Sequence, residues 1–223
     1  MRPADFARHD WVYLPADWRD TLAMPLLPAD EAALARWIER ERPLVVARRQ
    51  DGDAPDLLRL GLALPGKRRV GVALPAQAAR LRRRAPYLLD AVEFGAAFWP
   101  AAMRDLATLI ARAAADARIF GSFAWQFFAA DPSLVYVTAS SDIDLLLSPG
   151  PGQRLEGLLA RLDAFATAHP APRLDGEIAL PGGDFVSWRE YAARPKQILV
   201  KGSDGVSLRR IEDIDLLLAA RAA

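Results

Sequence analysis

The sequence of 223 residues predicts an α+β fold. Helical and extended segments follow one another without the regular alternation of a doubly wound sheet. Turn residues between extended segments predict hairpins. The chain is 52% hydrophobic, enough to bury a core, yet no uninterrupted apolar run reaches the ~18 residues of a membrane span. With no cysteine and two histidines, the sequence excludes disulfide scaffolds and zinc sites built from thiolates or several imidazoles.

The charge of the chain is balanced, with 29 basic and 28 acidic residues and a net charge of +1. This balance gives no overall attraction to nucleic acid, so any polyanion site must be local. The first residues lack the apolar core of a secretion signal. We therefore expect a cytoplasmic protein that binds neither nucleic acid nor membrane.

Residues 1–90 predict a small α/β lobe with one helix. That helix is expected over residues 30–42, with Asp30 as its N-cap and Pro43 ending it. Extended segments are predicted at residues 10–14 and 44–49, and a hairpin at residues 57–64 and 69–74 around Pro65-Gly66-Lys67.

Residues 91–223 predict a mixed sheet flanked by helices. Helices are expected over residues 98–115, 123–130 and 154–168 and at the C-terminus. Extended segments are expected over residues 117–120, 134–138, 142–147, 174–180, 185–188, 197–201 and 206–209. These elements surround the residues that suggest chemistry.

Two short motifs in this second part suggest phosphate chemistry: Gly121-Ser122 and, twenty residues later, Asp142-Ile-Asp144. On a strand, Asp142 and Asp144 would project from one face with Cα atoms about 7 Å apart, and they would repel each other without a cation. Mg²⁺ is the usual cation for such oxygen ligands. Gly121 permits close backbone approach, and the amides after it would open a helix N-terminus that can bind anions. The combination is typical of phosphoryl or nucleotidyl transfer.

The hexapeptide Asp-Ile-Asp-Leu-Leu-Leu occurs twice, at residues 142–147 and 213–218. The second copy runs into helix-forming residues. On a helix, side chains two positions apart point ~200° away from each other, so Asp213 and Asp215 could not share a metal ion. We expect these two acids to cap a terminal helix and to complement its dipole.

The Gly-Ser turn, short helix and D-x-D strand resemble the nucleotidyltransferase (polymerase-beta-like) superfamily. This resemblance implies a third acid on a later, neighbouring strand. Asp175 and Glu177 both fit, and Asp175 is preferred because Glu177 would lie one step further along the strand. Two other roles are open for Glu177: it could contribute to the coenzyme site, or it could form an ion pair with Arg173 or Arg189.

Longer motifs resemble the malonate decarboxylase holo-acyl-carrier-protein synthases, also called phosphoribosyl-dephospho-CoA transferases. They are residues 118–126 (RIFGSFAWQ), 141–146 (SDIDLL), 173–178 (RLDGEI), 186–190 (VSWRE) and 199–201 (LVK). Residues 8–14 (RHDWVYL) and 42–49 (RPLVVARR) fit the same family less specifically. The similarity spans most of the chain.

This resemblance implies an enzyme that takes 2'-(5''-triphosphoribosyl)-3'-dephospho-CoA. The phosphoribosyl-dephospho-CoA group is transferred to a serine of the decarboxylase's acyl carrier protein, and pyrophosphate leaves. Asp142 and Asp144 would hold Mg²⁺ against the triphosphate. Asp175 would bind metal or accept the serine proton, and Gly121 and Ser122 would cradle phosphates.

Basic residues are needed to neutralise the remaining phosphate charge. Lys201, which follows an apolar strand, is the best single candidate, the alternative being a solvated strand end. Arg48, Arg49 and Lys67 could reach dephospho-CoA or the carrier protein, or belong to a solvated face. We expect residues 1–90 to form the lobe that recognises substrate or carrier, and residues 91–223 to form the catalytic domain.

Two other functions stay open at this point. One is an adenylylating nucleotidyltransferase that acts on another small-molecule, protein or RNA acceptor. The other is a non-catalytic binding module of the same fold. The three acids Asp142, Asp144 and Asp175 argue against the latter, because a copy without chemistry need not keep carboxylates that repel without metal.

Overall fold

A computed structural model describes residues 6–113, 115–149 and 155–222. Within these residues the chain forms seven α-helices and eleven strands in two sheets, which confirms the α+β prediction. The chain divides into two compact units. The first comprises the residues up to Ala85 together with Gly202–Gly205, and the second comprises Pro86–Lys201 and the residues from Val206 onward. None of the described helices is long and apolar enough to cross a membrane.

The first unit is a five-stranded antiparallel sheet with one α-helix. Its elements are β1 (Trp11–Val12), α1 (Pro28–Ile38), β2 (Leu44–Val46), β3 (Leu57–Ala63), β4 (Arg69–Pro75) and β5 (Arg82–Arg83). The strand order is β4-β3-β2-β1-β5. The predicted hairpin is confirmed as β3 and β4, which pair from Leu57↔Pro75 to Ala63↔Arg69. Alternate residues of β3 are buried, which gives this sheet one core face.

The limits of α1 differ from the sequence prediction at both ends. The helix begins at Pro28 rather than after Asp30, with Leu27 as N-cap and no side-chain cap. Proline suits this first position because a backbone N–H there has no acceptor within the helix, so its absence costs no hydrogen bond. Asp30 instead lies in the first turn. The helix ends at Ile38, before Pro43, and Glu41 adopts a left-handed φ of 52°.

The second unit contains the remaining elements. In chain order they are α2 (Glu93–Ala96), α3 (Pro100–Ala113), β6 (Asp116–Phe120), α4 (Gly121–Ala129), β7 (Ile143–Ser148), α5 (Leu155–Ala168), β8 (Leu174–Ala179), β9 (Phe185–Ser187), α6 (Trp188–Ala192), β10 (Gln197–Lys201), β11 (Val206–Arg210) and α7 (Ile211–Ala222). The strands follow the order β11-β10-β9-β8-β7-β6, and only β7 and β8 are parallel. The core includes Leu106 of α3 and Leu162 of α5. The predicted mixed sheet with flanking helices is therefore present.

Three predictions about this unit need correction. The helix α4 begins at Gly121 rather than at Phe123, so Gly121-Ser122 form its first turn instead of a preceding turn. Residues 134–138 form no strand, since the side-chain amide of Gln126 bonds to the backbone of Leu134 and Tyr136 and replaces a sheet partner. Asp142 precedes β7 rather than lying in it. Arg154, predicted to start a helix, lies outside the described residues.

Candidate active site

Asp144 and Asp175 lie opposite each other on two neighbouring strands. Each is the second residue of its strand, β7 and β8, and the parallel register pairs Asp144 with Asp175. On its other side, Asp144 pairs with Phe120, the last residue of β6. Because α4 follows Phe120 directly, both acids lie at the end of the sheet where that helix begins.

Asp142 joins this pair through Arg173. Both residues immediately precede a strand, and the Ile143 amide donates to the Arg173 carbonyl at 2.9 Å, so their side chains start side by side. One guanidinium nitrogen of Arg173, Nη2, lies 2.8 Å from Asp142 Oδ2 and 3.2 Å from Asp175 Oδ2. The hydrogen bond to Asp142, with the charge of Asp142 and Asp175, raises the pKa of Arg173. The structure thus brings all three predicted acids together around one arginine.

Asp144 is the inner acid of this cluster. Burial, followed by the charges of Asp142 and Asp175, raises the pKa of Asp144 to about 6. Arg173 opposes this shift by a smaller amount. Burial and the neighbouring charges therefore disfavour the charged form of Asp144, and an added cation would favour it.

Gly121 allows the first turn of α4 to approach Asp144. Its φ is 64°, a left-handed value that side-chain-bearing residues rarely adopt. A Cβ atom at this position would lie 2.2 Å from Asp144 Oδ2, far inside van der Waals contact. Ser122 follows in the same turn and is half-buried. The first amides of a helix have no intrahelical acceptor, so this turn offers N–H donors beside the acid cluster.

Glu177 and Lys201 form a separate ion pair further along the sheet. The Glu177 carboxylate is buried, with 6% of its side chain exposed, and Lys201 Nζ donates to it at 2.9 Å. Arg189, one of the partners considered from the sequence, instead donates to the Leu174 carbonyl at 3.1 and 2.7 Å. Asp175 thus lies opposite Asp144, whereas Glu177 pairs with Lys201.

The basic candidates of the first unit lie outside the unit that contains the acids. Arg49 is bound to its own chain: its Nη atoms donate to four backbone carbonyls, those of Asp53, Ala54, Pro55 and Leu57. Arg48 is exposed. Lys67 belongs to the turn Pro65–Lys67, and its side chain lies outside the described part of the structure.

Within the described ranges, no group of three His, Cys, Asp or Glu side chains is arranged so that it could hold a metal ion. Between Asp142 and Asp175 the cation is the Arg173 guanidinium. This group marks a place where positive charge is stable among carboxylate oxygens, which are the ligands that Mg²⁺ prefers. The donor chemistry of Asp142, Asp144 and Asp175 therefore fits a hard divalent cation.

Arg173 is the residue that the sequence argument missed, because it was considered only as a partner for Glu177. A usable signal was present. Arg173 precedes β8 as Asp142 precedes β7, so a parallel pairing of these strands brings the two side chains together.

Two family models match the chain. The phosphoribosyl-dephospho-CoA transferase MdcG N-terminal domain matches residues 7–86, and the corresponding C-terminal domain matches residues 87–212. Together these matches span both units of the structure and include the acid cluster.

Curated relatives agree with this match. A phosphoribosyl-dephospho-CoA transferase of Xanthomonas campestris pv. campestris (strain 8004) is 36% identical over 206 residues, covering 90% of this chain and 92% of that protein. The protein of the same name from Xanthomonas euvesicatoria pv. vesicatoria (strain 85-10) is 38% identical over 206 residues, covering 89% and 90%. One from Bradyrhizobium diazoefficiens is 34% identical over 205 residues, covering 90% and 88%. No solved structure matches the chain. The chain is a transferase and belongs to the phosphoribosyl-dephospho-CoA transferase family.

Proposed function

We propose that the chain transfers the phosphoribosyl-dephospho-CoA group from 2'-(5''-triphosphoribosyl)-3'-dephospho-CoA to a serine of the malonate decarboxylase acyl carrier protein, with release of pyrophosphate. The name shared by the relatives supports the transferred group. The observation that carries the proposal is the meeting of Asp142, Asp144 and Asp175 beside the first turn of α4. Motifs around these acids support the donor and the acceptor by their resemblance to the family.

The reaction exchanges one phosphorus–oxygen bond for another. The serine hydroxyl oxygen forms a bond to the α-phosphorus of the triphosphate, and the bond from that phosphorus to pyrophosphate breaks. The hydroxyl proton needs an acceptor, and we assign this task to Asp175. Its Oδ1 accepts a hydrogen bond from the Gly176 amide at 2.8 Å, which orients the carboxylate.

We assign the binding of Mg²⁺ to Asp142, Asp144 and Asp175. When bound, the ion would neutralise charge on the triphosphate and on the leaving pyrophosphate. The pKa of Asp144, raised to about 6 first by burial and then by the charges of Asp142 and Asp175, supports this assignment because a bound cation would favour the charged carboxylate.

Gly121, Ser122 and Lys201 are assigned to the phosphates. The free amides at the start of α4 and the Ser122 hydroxyl would donate to phosphate oxygens. Lys201 would contribute a positive charge, oriented by its hydrogen bond to Glu177. These donors would favour the charge that develops on the leaving group.

We also infer a nucleotidyltransferase-like fold for the second unit. Its support is the order of the site elements. The helix α4 begins at Gly121-Ser122, the strand β7 carries Asp144, and the neighbouring β8 carries the third acid.

Intact-mass spectrometry of the carrier protein tests this function. The chain is incubated with carrier protein, triphosphoribosyl-dephospho-CoA and Mg²⁺, and the carrier is weighed. We expect a mass increase equal to the phosphoribosyl-dephospho-CoA group, together with stoichiometric pyrophosphate. D142N and D144N should abolish the increase while the circular dichroism spectrum stays native.

Asp213→Asn is the matched control, because it changes the same hexapeptide where it lies on a helix and bonds to Arg210. This variant should transfer normally. A carrier mass increased by a nucleotide monophosphate would instead identify an adenylylating enzyme. Near-normal pyrophosphate release by D142N or D144N would overturn the assignment of the acids.

A further inference from the structure

Arg173 occupies the position between the acids that the proposed function assigns to a metal ion. A single atom, Nη2, contacts Asp142 Oδ2 at 2.8 Å and Asp175 Oδ2 at 3.2 Å. A cation bound by these two oxygens would compete for the same lone pairs, and its charge would repel the guanidinium. Arg173 and a bound metal therefore exclude each other in this arrangement.

The side chain of Arg173 is free to leave this position. It is 62% exposed, while Asp142 is 40% and Asp175 31% exposed, so the bridge lies at the surface of the cluster. Its backbone stays fixed independently, because the Arg173 carbonyl accepts from Ile143 N at 2.9 Å. Rotation of the side chain into solvent would leave the strand pairing intact. Other arginines near the sheet differ: Arg189 is bound to the Leu174 carbonyl by two nitrogens.

We propose that the Arg173 side chain is the counter-ion of Asp142 and Asp175 in the metal-free enzyme. When a divalent cation binds these acids, the side chain rotates away and binds the triphosphate of the incoming donor. This inference rests on the proposed function. A guanidinium suits both tasks, because its N–H groups donate to carboxylate oxygens and to phosphate oxygens. The same charge thus first neutralises the acids and then neutralises the substrate. Arg173 is a substrate-binding residue in this account, and it also regulates metal entry.

Metal binding without donor is the first test, with Mn²⁺ as the probe and its affinity measured by electron paramagnetic resonance on the full chain. Arg173→Ala should bind Mn²⁺ about tenfold more tightly than the wild type, because one charge-assisted contact no longer competes. Arg173→Lys keeps the charge, and its ammonium can replace the single nitrogen that bridges the acids, so it should bind Mn²⁺ at most about threefold more tightly than the wild type. An Arg173→Lys variant that binds Mn²⁺ as tightly as Arg173→Ala would show that the charge does not compete with the metal ion and would overturn the proposal.

Donor binding is the second test. The KM for triphosphoribosyl-dephospho-CoA should rise about tenfold in Arg173→Ala and less in Arg173→Lys, because the lysine keeps a positive charge for the phosphates. A residue that only tied β8 to Asp142 would change thermal stability and leave both affinities unaltered. An unchanged KM in both variants would overturn the triphosphate role.

Arg210→Ala is the matched control, since Arg210 forms an exposed pair with Asp213 in the other copy of the hexapeptide. It should match the wild type in both measurements. If the wild type binds Mn²⁺ and Arg173→Ala binds it equally well, the inference about Arg173 fails and the proposed function stands. If neither protein binds Mn²⁺ even with donor present, the metal assignment fails and the inference fails with it.

Discussion

At the scale of single residues, Gly121 is the position where backbone conformation and site chemistry meet. Its φ is 64°, and an added Cβ would lie 2.2 Å from Asp144 Oδ2. Gly121→Ala should therefore displace Asp144 or the first turn of α4. We expect transfer to fall by about 100-fold, because a shift of about 1 Å in a reacting group costs that much. Steady-state transfer assays on the purified variant measure the loss.

Gly66→Ala separates backbone strain from the collision. Gly66 also has a left-handed φ, 78°, but a Cβ there would meet nothing within 4 Å. Both variants should lose about 1–2 kcal/mol of stability from the left-handed conformation, while Gly66→Ala keeps its activity. Equal activity in the two variants would contradict the close approach of Gly121 to Asp144.

The pair Glu177–Lys201 predicts an asymmetric effect on stability. Glu177 has 6% of its side chain exposed and Lys201 has 36%, so only the lysine can return to water when its partner is removed. Lys201→Met should lower the free energy of unfolding by about 1–3 kcal/mol, because the buried carboxylate loses the charged hydrogen bond from Lys201. Glu177→Gln should cost less, and the double variant should be more stable than Lys201→Met alone. Urea unfolding measures all three.

The exposed pair Arg19–Glu31 serves as the comparison for this cycle, because its side chains are 48% and 40% exposed. Its removal should cost at most about 1 kcal/mol. If Lys201→Met lowers the free energy of unfolding by no more than Arg19→Met does, the burial of Glu177 does not strengthen its ion pair with Lys201. The proposal that Glu177 orients Lys201 would then be contradicted.

At the scale of elements, the two copies of Asp-Ile-Asp-Leu-Leu-Leu show how the same letters acquire different roles. In the first copy Asp144 lies on β7 opposite Asp175, while in the second copy the residues belong to α7. On that helix Asp213 pairs with Arg210, and Asp215 pairs with Arg194 and accepts from the Tyr191 hydroxyl. The predicted helix is confirmed, and Asp213 lies in its first turn as expected for an acid that complements the helix dipole, whereas Asp215 lies beyond that turn. The helix-forming residues that follow the second copy favour a helix there, so the hexapeptide alone does not determine its secondary structure.

Asp215 fastens α7 to the loop after α6, and this contact predicts a pH dependence. The hydrogen bonds from Arg194, mainly, and from Tyr191 lower the pKa of Asp215. Its contribution to stability is therefore complete above the ordinary carboxyl value of 3.8 and disappears as the pH falls through the lowered pKa. Asp215→Asn should be less stable than the wild type by about 1 kcal/mol at pH 7, and the difference should shrink below the ordinary value. Urea unfolding at several pH values measures it.

Asp213→Asn is the control for that experiment, because its partner Arg210 is 68% exposed and the pair spans one turn. We expect little change in stability at any pH. A difference between Asp215→Asn and the wild type that persists unchanged in strong acid would show that the asparagine acts through packing rather than through the charge of Asp215.

Sequence patterns were sufficient where local rules decide the structure and failed where distant side chains intervene. The hairpin of β3 and β4 follows from alternation and a Pro-Gly turn. Residues 134–138 look extended, yet the amide of Gln126 binds them, and no periodicity reveals such a contact. In the site, the superfamily resemblance predicted an acid on a strand beside that of Asp144, whereas the bridge of Arg173 follows from the parallel register of the two strands. Arg49 was predicted to bind coenzyme or carrier protein or to lie on a solvated face, and no sequence pattern revealed that its guanidinium donates to backbone carbonyls of its own loop.

At the scale of the whole molecule, the chain combines two units that differ in sheet topology. The first unit is antiparallel and contains no member of the acid cluster, while the second holds the cluster at its only parallel strand pair within the described residues. The hairpin tip Gly202–Gly205 belongs to the first unit, where Ser203 O accepts from Arg49 N at 2.9 Å. A linear division at residue 90 could not anticipate this, because the tip is remote in sequence. With a net charge of +1, recognition of an anionic coenzyme must come from local groups.

The role assigned to residues 1–90, recognition of coenzyme or carrier protein, predicts where ligands protect the chain from hydrogen–deuterium exchange. With donor and Mg²⁺, amides of α4, β7 and β8 should exchange more slowly, because a bound ligand suppresses local opening. At least one of the two ligands, added separately, should also protect amides of the first unit, and the ligand that does so identifies what this unit recognises. D142N with donor is the control, in which protection of β7 should be weakened. Protection confined to the second unit with donor and carrier together would contradict the recognition role, while the chemistry of the acids would be unaffected.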